Sequence, residues 1–332
     1  VTLAAAVIGL GVGEQHARAL AAHPRARVAW LLDLDRGRAE ALARALGQGE
    51  VANDYATVLA DPAVDAVVLA SYDDDHAAQV VAAFRAGKHV FCEKPLCRTP
   101  AELDAIATAR GDRHLGCNLV LRAAPLFRWL RDAIRGGELG DIYALDGDYL
   151  YGRLHKITDG WRGSVDDYSV MQGGAVHLVD LMIWLLGERP TSVTAAGNRI
   201  VTRDTAFRYP DFVAATYEMP SGAIGRITAN FGCVHKHQHV LRVFGTKATF
   251  IADDAGARLH VARDPGAPPR AIELAPVAAS KGDLVPGFVD GVLDRVDGGP
   301  AARHELDVMN ACMFADRALA AQQRQRIEYS HE

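Results

Sequence analysis

Leu3-Ala4-Ala5-Ala6-Val7-Ile8-Gly9-Leu10-Gly11-Val12-Gly13-Glu14-Gln15-His16 is the stretch that decides the fold. Its apolar run predicts a buried strand over residues 3–9, and the alanine-rich residues 17–22 predict a helix. Between them the glycines allow a tight turn and let backbone N–H groups approach a pyrophosphate at the helix N-terminus. The spacing departs from G-x-G-x-x-G, because Gly13 comes one place early and Glu14 holds the expected slot. Twenty residues beyond Gly13, Asp33 ends a second apolar run over 27–33. An acidic group there accepts a hydrogen bond from the adenosine ribose 2′-OH and repels a 2′-phosphate. NAD is therefore expected rather than NADP, although Arg36 and Arg38 stand close enough to keep NADP open. Gly9, Gly11, Val12, Gly13 and Asp33 are the first expected cofactor-binding residues.

The strand–helix alternation continues outward through residue 118. Further strands are expected over 66–70, 89–92 and 115–117, and helices over 36–46, 75–86 and 99–109. Continuous apolar strands between helices imply a parallel sheet covered on both faces, a doubly wound α/β Rossmann domain. In Val90-Phe91-Cys92-Glu93-Lys94-Pro95 the strand must stop, since proline lacks the N–H for the ladder. Glu93 and Lys94 thus stand at a strand's carboxyl end, where ligands bind in open α/β sheets. Ser71-Tyr72-Asp73-Asp74-Asp75-His76 opens a helix; the three aspartates are expected to cap it, and Ser71 and His76 to line the cofactor side.

Composition bounds the rest. At 332 residues two domains are expected, and 49% hydrophobic residues suffice for proper cores. A formal charge of -5 with both signs interspersed predicts neither a nucleic-acid nor a membrane partner. The scattered Cys92, Cys97, Cys117, Cys233 and Cys312 fit reduced thiols in a cytoplasmic protein. Residues 3–10 lack the flanks of a signal peptide, and no run reaches the length of a membrane span.

From Asn118 the pattern changes. A helix over 124–136 precedes strand-like runs at 142–151, 191–200, 212–218, 223–231, 239–244, 248–251, 258–261 and 271–274. Strands clustered after an α/β half mark a second, α+β domain over 119–332. A closing helix is expected within 294–323; its residues from about 302 can return to the first domain.

The order of the glycine loop, Ala70-Ser71-x-x-x-x-His76, Ala86-Gly87-Lys88-His89-Val90 and Glu93-Lys94-Pro95 resembles the Gfo/Idh/MocA oxidoreductases, the glucose–fructose oxidoreductase and inositol dehydrogenase group. Gly137-Glu138-Leu139-Gly140-Asp141-Ile142, Gly245-Thr246-Lys247-Ala248-Thr249-Phe250 and Gly299-Pro300 extend the resemblance over nearly the whole chain. It implies an NAD(P)-dependent enzyme acting on sugars, cyclitols or related polyols. The second domain would hold an open, mostly antiparallel sheet, through which a homodimer or homotetramer would form. Lys94 would contact the substrate hydroxyl, and the Lys-Pro bond of this motif is often cis.

The second domain's chemistry is expected between Trp161 and Asp180. His177 matches the histidine of the family's Asp-x-x-x-His, but Gly173 replaces the aspartate. Lys94, His177 and Asp180 are the expected catalytic residues, Asp180 sharing a helix face with His177. Asn118, Tyr149, Tyr151, Lys156, Trp161, Arg162 and Tyr168 are candidate substrate contacts. His235, His237 and His239 would share a strand face, which could suit Zn²⁺, yet no carboxylate or cysteine stands beside them in sequence and no metal is expected. Two other functions fit the same fold: an enzyme that recycles a tightly held NAD, and a non-catalytic NAD or sugar sensor.

Overall fold

A computed structural model describes residues 1–329 except Trp161, Arg162 and Ser164, so two expected substrate contacts, Trp161 and Arg162, lie outside the described residues. The chain divides into two compact units, one of Val1–Ala123 with Ala278–Met309, the other of Ala124–Val277 with Asn310–Tyr329.

In the first unit β1 (Leu3–Ile8), β2 (Ala26–Leu32), β3 (Glu50–Val51), β4 (Ala66–Leu69), β5 (His89–Cys92) and β6 (Leu115–Cys117) form one parallel sheet. Their order, β3-β2-β1-β4-β5-β6, reverses between β1 and β4, which makes the crevice beyond those two strands the switch point for ligands. All residues of β1 are buried, as a strand covered on both faces requires. The interleaved helices are α1 (Gly13–Ala22), α2 (Arg36–Leu46), α3 (Tyr55–Ala60), α4 (His76–Arg85) and α5 (Pro100–Arg110). Asp35 caps α2, and Thr99 with Glu102 closes a capping box on α5 behind Pro100. Asp75 precedes α4 without a side-chain cap bond, contrary to the expectation from sequence.

The second unit holds α6 (Pro125–Arg135), β7 (Ile142–Leu150), α7 (His155–Thr158) and α8 (Val176–Leu186), with a π-helical turn, Met171–Ala175, leading into α8. Then follow β8 (Ser192–Asn198), β9 (Phe212–Glu218), β10 (Ile224–Asn230), β11 (Gln238–Gly245), β12 (Thr249–Asp253), β13 (Gly256–His260) and β14 (Arg270–Ile272). With β15 (Gln325–Arg326) they make a sheet in the order β14-β13-β12-β11-β7-β10-β9-β8-β15, antiparallel except for the β10–β7 pair. Helix α8 lies tightly on this sheet: a Cβ on Gly225 would overlap the Met182 sulfur, and one on Gly147 would stand 3.3 Å from Leu178. With α6 packed against it as well as the sheet, nine of its eleven residues are buried.

Two helices close the chain. The nine residues of α9 (Val285–Leu293) carry Val285 and Val289 into the first unit's core. In α10 (Gly299–Ala321), residues to Met309 belong to the first unit and those from Asn310 to the second. Among the described residues no helix is long and apolar enough to cross a membrane.

Candidate active site

In the first unit each loop glycine has its own task. Gly9 has φ +80°, and a Cβ there would overlap the Ala70 carbonyl oxygen, so only glycine can make this turn. Among the described residues, nothing beyond its chain neighbours lies within 4 Å of where a Cβ on Gly11 would stand. This opening lets a phosphate group approach the backbone at the N-terminus of α1, the end at which a helix presents N–H groups to an anion, although the Gln15 N–H already bonds the Val12 carbonyl at 2.9 Å. A Cβ on Gly13 would press on Val7 and Ala70 at 3.2 Å, so this early glycine does the helix-to-strand packing. The loop is tied to Asp33: one carboxylate oxygen accepts the Leu10 N–H at 2.6 Å, and the other accepts that of Asp35 at 2.8 Å. A carboxylate has about four lone-pair sites, so room for a ribose hydroxyl remains.

At the end of β5 a second network gathers. Glu93 Oε1 meets His16 Nε2 at 3.0 Å and accepts from Asn118 Nδ2 at 2.6 Å. Burial opposes the Glu93 charge, but the hydrogen bond and charge of His16, with those of Asn118 and Lys94, outweigh it and hold the carboxyl below its usual range. His16 Nδ1 and Asn118 Oδ1 are buried polar atoms with no hydrogen-bond partner among the described residues. They fit a site that is completed by a bound ligand. Sequence reasoning missed His16, although its spacing from Gly13, Ala17 and Leu20 places it on the buried face of α1.

Lys94 follows Glu93 directly, half-buried, before a cis bond to Pro95. His76 is fully buried; its Nδ1 donates to the Pro95 carbonyl at 2.7 Å, and Nε2 lies 3.3 Å from that of Ser71. It braces the segment carrying Lys94. The Ser71 hydroxyl donates to Gln79.

In the second unit aromatic rings and imidazoles cluster. Tyr149 and Tyr151 stack at 5.9 Å, and Phe231 stands 4.5 Å from Tyr151. Tyr168 sets its edge against Phe207 at 5.7 Å. The π turn enters this cluster through Gly173 and Gly174. A Cβ on Gly174 would overlap the Tyr149 ring, and one on Gly173 would overlap the Tyr168 hydroxyl oxygen. The missing side chain at 173 therefore has a physical reason: the Tyr168 phenol occupies its room. Behind the turn, Asp316 accepts from Ser169 Oγ at 2.9 Å and from Gln172 Nε2 at 3.0 Å. Burial raises its carboxyl to about 6 against those two bonds.

His177, on the first turn of α8, is 7% exposed, and Asp180 one turn later is fully buried. The His177 ring meets His239 edge-on at 5.8 Å, a pairing the sequence did not suggest. His235 stands apart, with Asp254 at 2.7 Å from its Nε2, which supplies the carboxylate that sequence inspection did not find. Among the described residues no group of three His, Cys, Asp or Glu side chains is placed to hold a metal ion.

Residues 3–117 match the oxidoreductase family described as having an NAD-binding Rossmann fold, and residues 127–251 match the GFO/IDH/MocA C-terminal domain. The chain belongs to the Gfo/Idh/MocA family. It is an NAD-linked oxidoreductase acting on CH–OH groups. It is 29% identical over 258 residues to myo-inositol 2-dehydrogenase of Thermotoga maritima, covering 75% of this chain and 74% of that one. It is 30% identical over 257 residues to the NAD⁺-dependent scyllo-inositol 2-dehydrogenase of Bacillus subtilis, covering 74% and 72%. Its fold matches that of levoglucosan dehydrogenase in complex with NADH, with a TM-score of 0.86 at 20% identity over 99% of this chain and all of that one.

Proposed function

We propose that the enzyme oxidises a secondary alcohol of a cyclitol or sugar, with NAD favoured over NADP. The observation that carries this is Lys94 at the carboxyl end of β5, beside a carboxylate held ionised by His16 and Asn118. Lys94 holds the substrate hydroxyl and polarises its O–H bond. His177 takes the proton as the carbonyl forms, while Asp180 on the same helix steadies the imidazole. NAD, when bound, accepts the hydride. Gly9, Gly11, Val12 and Gly13 would receive its pyrophosphate, and Asp33 its ribose. The NAD preference is supported by Arg36, which is spent on Glu40 and Asn53, and by Arg38, which lies 3.6 Å from Asp33. Ser71, Glu93 and His76 shape the nicotinamide end, His76 from behind. Asn118, Tyr149, Tyr151 and Tyr168, with Trp161 and Arg162, are the proposed substrate contacts. Aromatic faces of this kind suit the C–H faces of a cyclic polyol. The outer sheet face, with Asp146–Arg226 and Asp148–Arg242 pairs, is proposed to join copies into a homodimer or homotetramer in the cytoplasm.

The test is Lys94→Met, assayed at the NADH absorbance with myo-inositol, scyllo-inositol and levoglucosan. Turnover should fall by roughly 10²–10⁴, the worth of an acid–base group, while NAD affinity by calorimetry stays within a few-fold. A Met variant that oxidises as fast as the parent would reject the role of Lys94.

A further inference from the structure

With the Tyr168 phenol filling the space at Gly173, a proton accepted by His177 must leave by another route. Accepting the role given to His177 above, we propose that His239 and His237 form a row of imidazoles that carries this proton out of the second unit's core.

The row has a structural basis. His237 and His239 are two residues apart, so they face the same side where the chain enters β11. His239 pairs with Tyr149 in the β11–β7 register, and the Tyr149 ring lies 5.2 Å from both imidazoles. Helix α8 brings His177 onto the same side, edge-on to His239 at 5.8 Å and 88°. His239 in turn stands 5.0 Å from His237 at 75°. Rings set edge-on at these spacings leave roughly 4–5 Å between the edge of one and the atoms of the next, longer than a hydrogen bond and suited to one bridging water at each transfer. His237 Nδ1 lies 3.2 Å from the Leu150 carbonyl, which fixes Nδ1 as the donor and leaves Nε2 to accept in the neutral ring. Exposure rises along the row, from buried His177 to half-buried His239 and His237. Among the described residues, Tyr149 at the end of β7, Tyr151 just beyond it and Asp180 on α8 are titratable groups beside it.

The proton balance closes. The substrate C–H electron pair leaves as hydride to NAD, and the O–H proton goes to His177. The imidazolium hands a proton to His239, which releases one from its other nitrogen toward His237 and water. Each ring ends neutral, so the relay consumes nothing but NAD.

Two measurements test the row. His239→Ala should keep the parent NAD affinity and KM but lose roughly 10- to 100-fold in kcat on whichever of myo-inositol, scyllo-inositol or levoglucosan the parent oxidises fastest, less than the roughly 10²–10⁴ of a group that meets the substrate directly. Added free imidazole should restore much of it, and His237→Ala should show a smaller loss with the same rescue. A loss that imidazole does not restore would make His239 a packing residue and overturn the relay. If His177→Asn is slow and His239→Ala is fast, the relay is overturned and the role of His177 stands; if His177→Asn is itself fast, both fail. Without any substrate, NMR titration of the imidazole C2–H signals in the NAD-bound protein should give coupled curves for His177 and His239. His239→Gln should turn that of His177 into a single step, and independent curves in the parent overturn the proposal.

Discussion

Single side chains here work against their solvation, and Asp316 shows the cost. Its carboxyl is raised from 3.8 to about 6, first by burial, with Gln172 and Ser169 pulling the other way. An acid raised in the folded state binds a proton that the unfolded chain has released, so stability is full below about 4 and falls as pH rises toward 6. The gap corresponds to at most roughly 3 kcal/mol. Asp316→Asn should flatten the fall in urea-unfolding stability between pH 4 and 7, and an unchanged slope would place the titration elsewhere. Asp33 allows a second test. Asp33→Asn keeps an acceptor for the Leu10 N–H but loses the charge, so the preference for NAD over NADP should narrow about tenfold with the loop intact. Asp33→Ala should lose the loop bond as well and weaken both cofactors, and calorimetry distinguishes the two. A parent protein that binds NADP more tightly would reject the assignment.

At the scale of elements, close approach rather than propensity sets the π turn and α8. Gly173 and Gly174 meet Tyr168, Tyr149 and Phe231, all nearly buried, so an added methyl cannot be relieved by a side chain swinging into solvent. Gly173→Ala should therefore cost about 1–3 kcal/mol of overpacking. In a Tyr168→Ala background the cost should shrink, because the hydroxyl is gone, and a double-mutant cycle in urea reads this coupling. Additive costs would mean that the two residues do not share the space. Helix α9 is informative for the opposite reason. Pro286, Gly287 and Gly291 read as helix breakers, yet Pro286 sits in the permitted first turn and Val285 and Val289 are one turn apart on the buried side.

For the molecule as a whole, ligand binding to the folded state is the lever. NAD at a hundredfold excess over its Kd should add about 2.7 kcal/mol of stability. Hydrogen exchange should slow mainly at residues 9–16 and 93–95, the loop and the lysine segment. Protection absent there, or spread evenly along the chain, would count against the cofactor site drawn above.

What the sequence determined by itself was local. The β1–loop–α1 unit, Asp33 at the end of β2, the stop at Glu93-Lys94-Pro95 and most strands of the second sheet follow from apolar period, glycine conformation and proline's missing N–H. Those signals act within a few residues. The two-residue β3 and β15 and the short α3 were not legible, being too brief to show a period. Tertiary structure decided the rest. It grouped 278–309 with the first unit, placed the Tyr168 phenol over Gly173, linked His16 to Glu93, and set His239 beside His177. Each of these joins residues through strand register or helix packing, where a one-residue slip would turn the side chain to the other face, and no local pattern records which register is chosen.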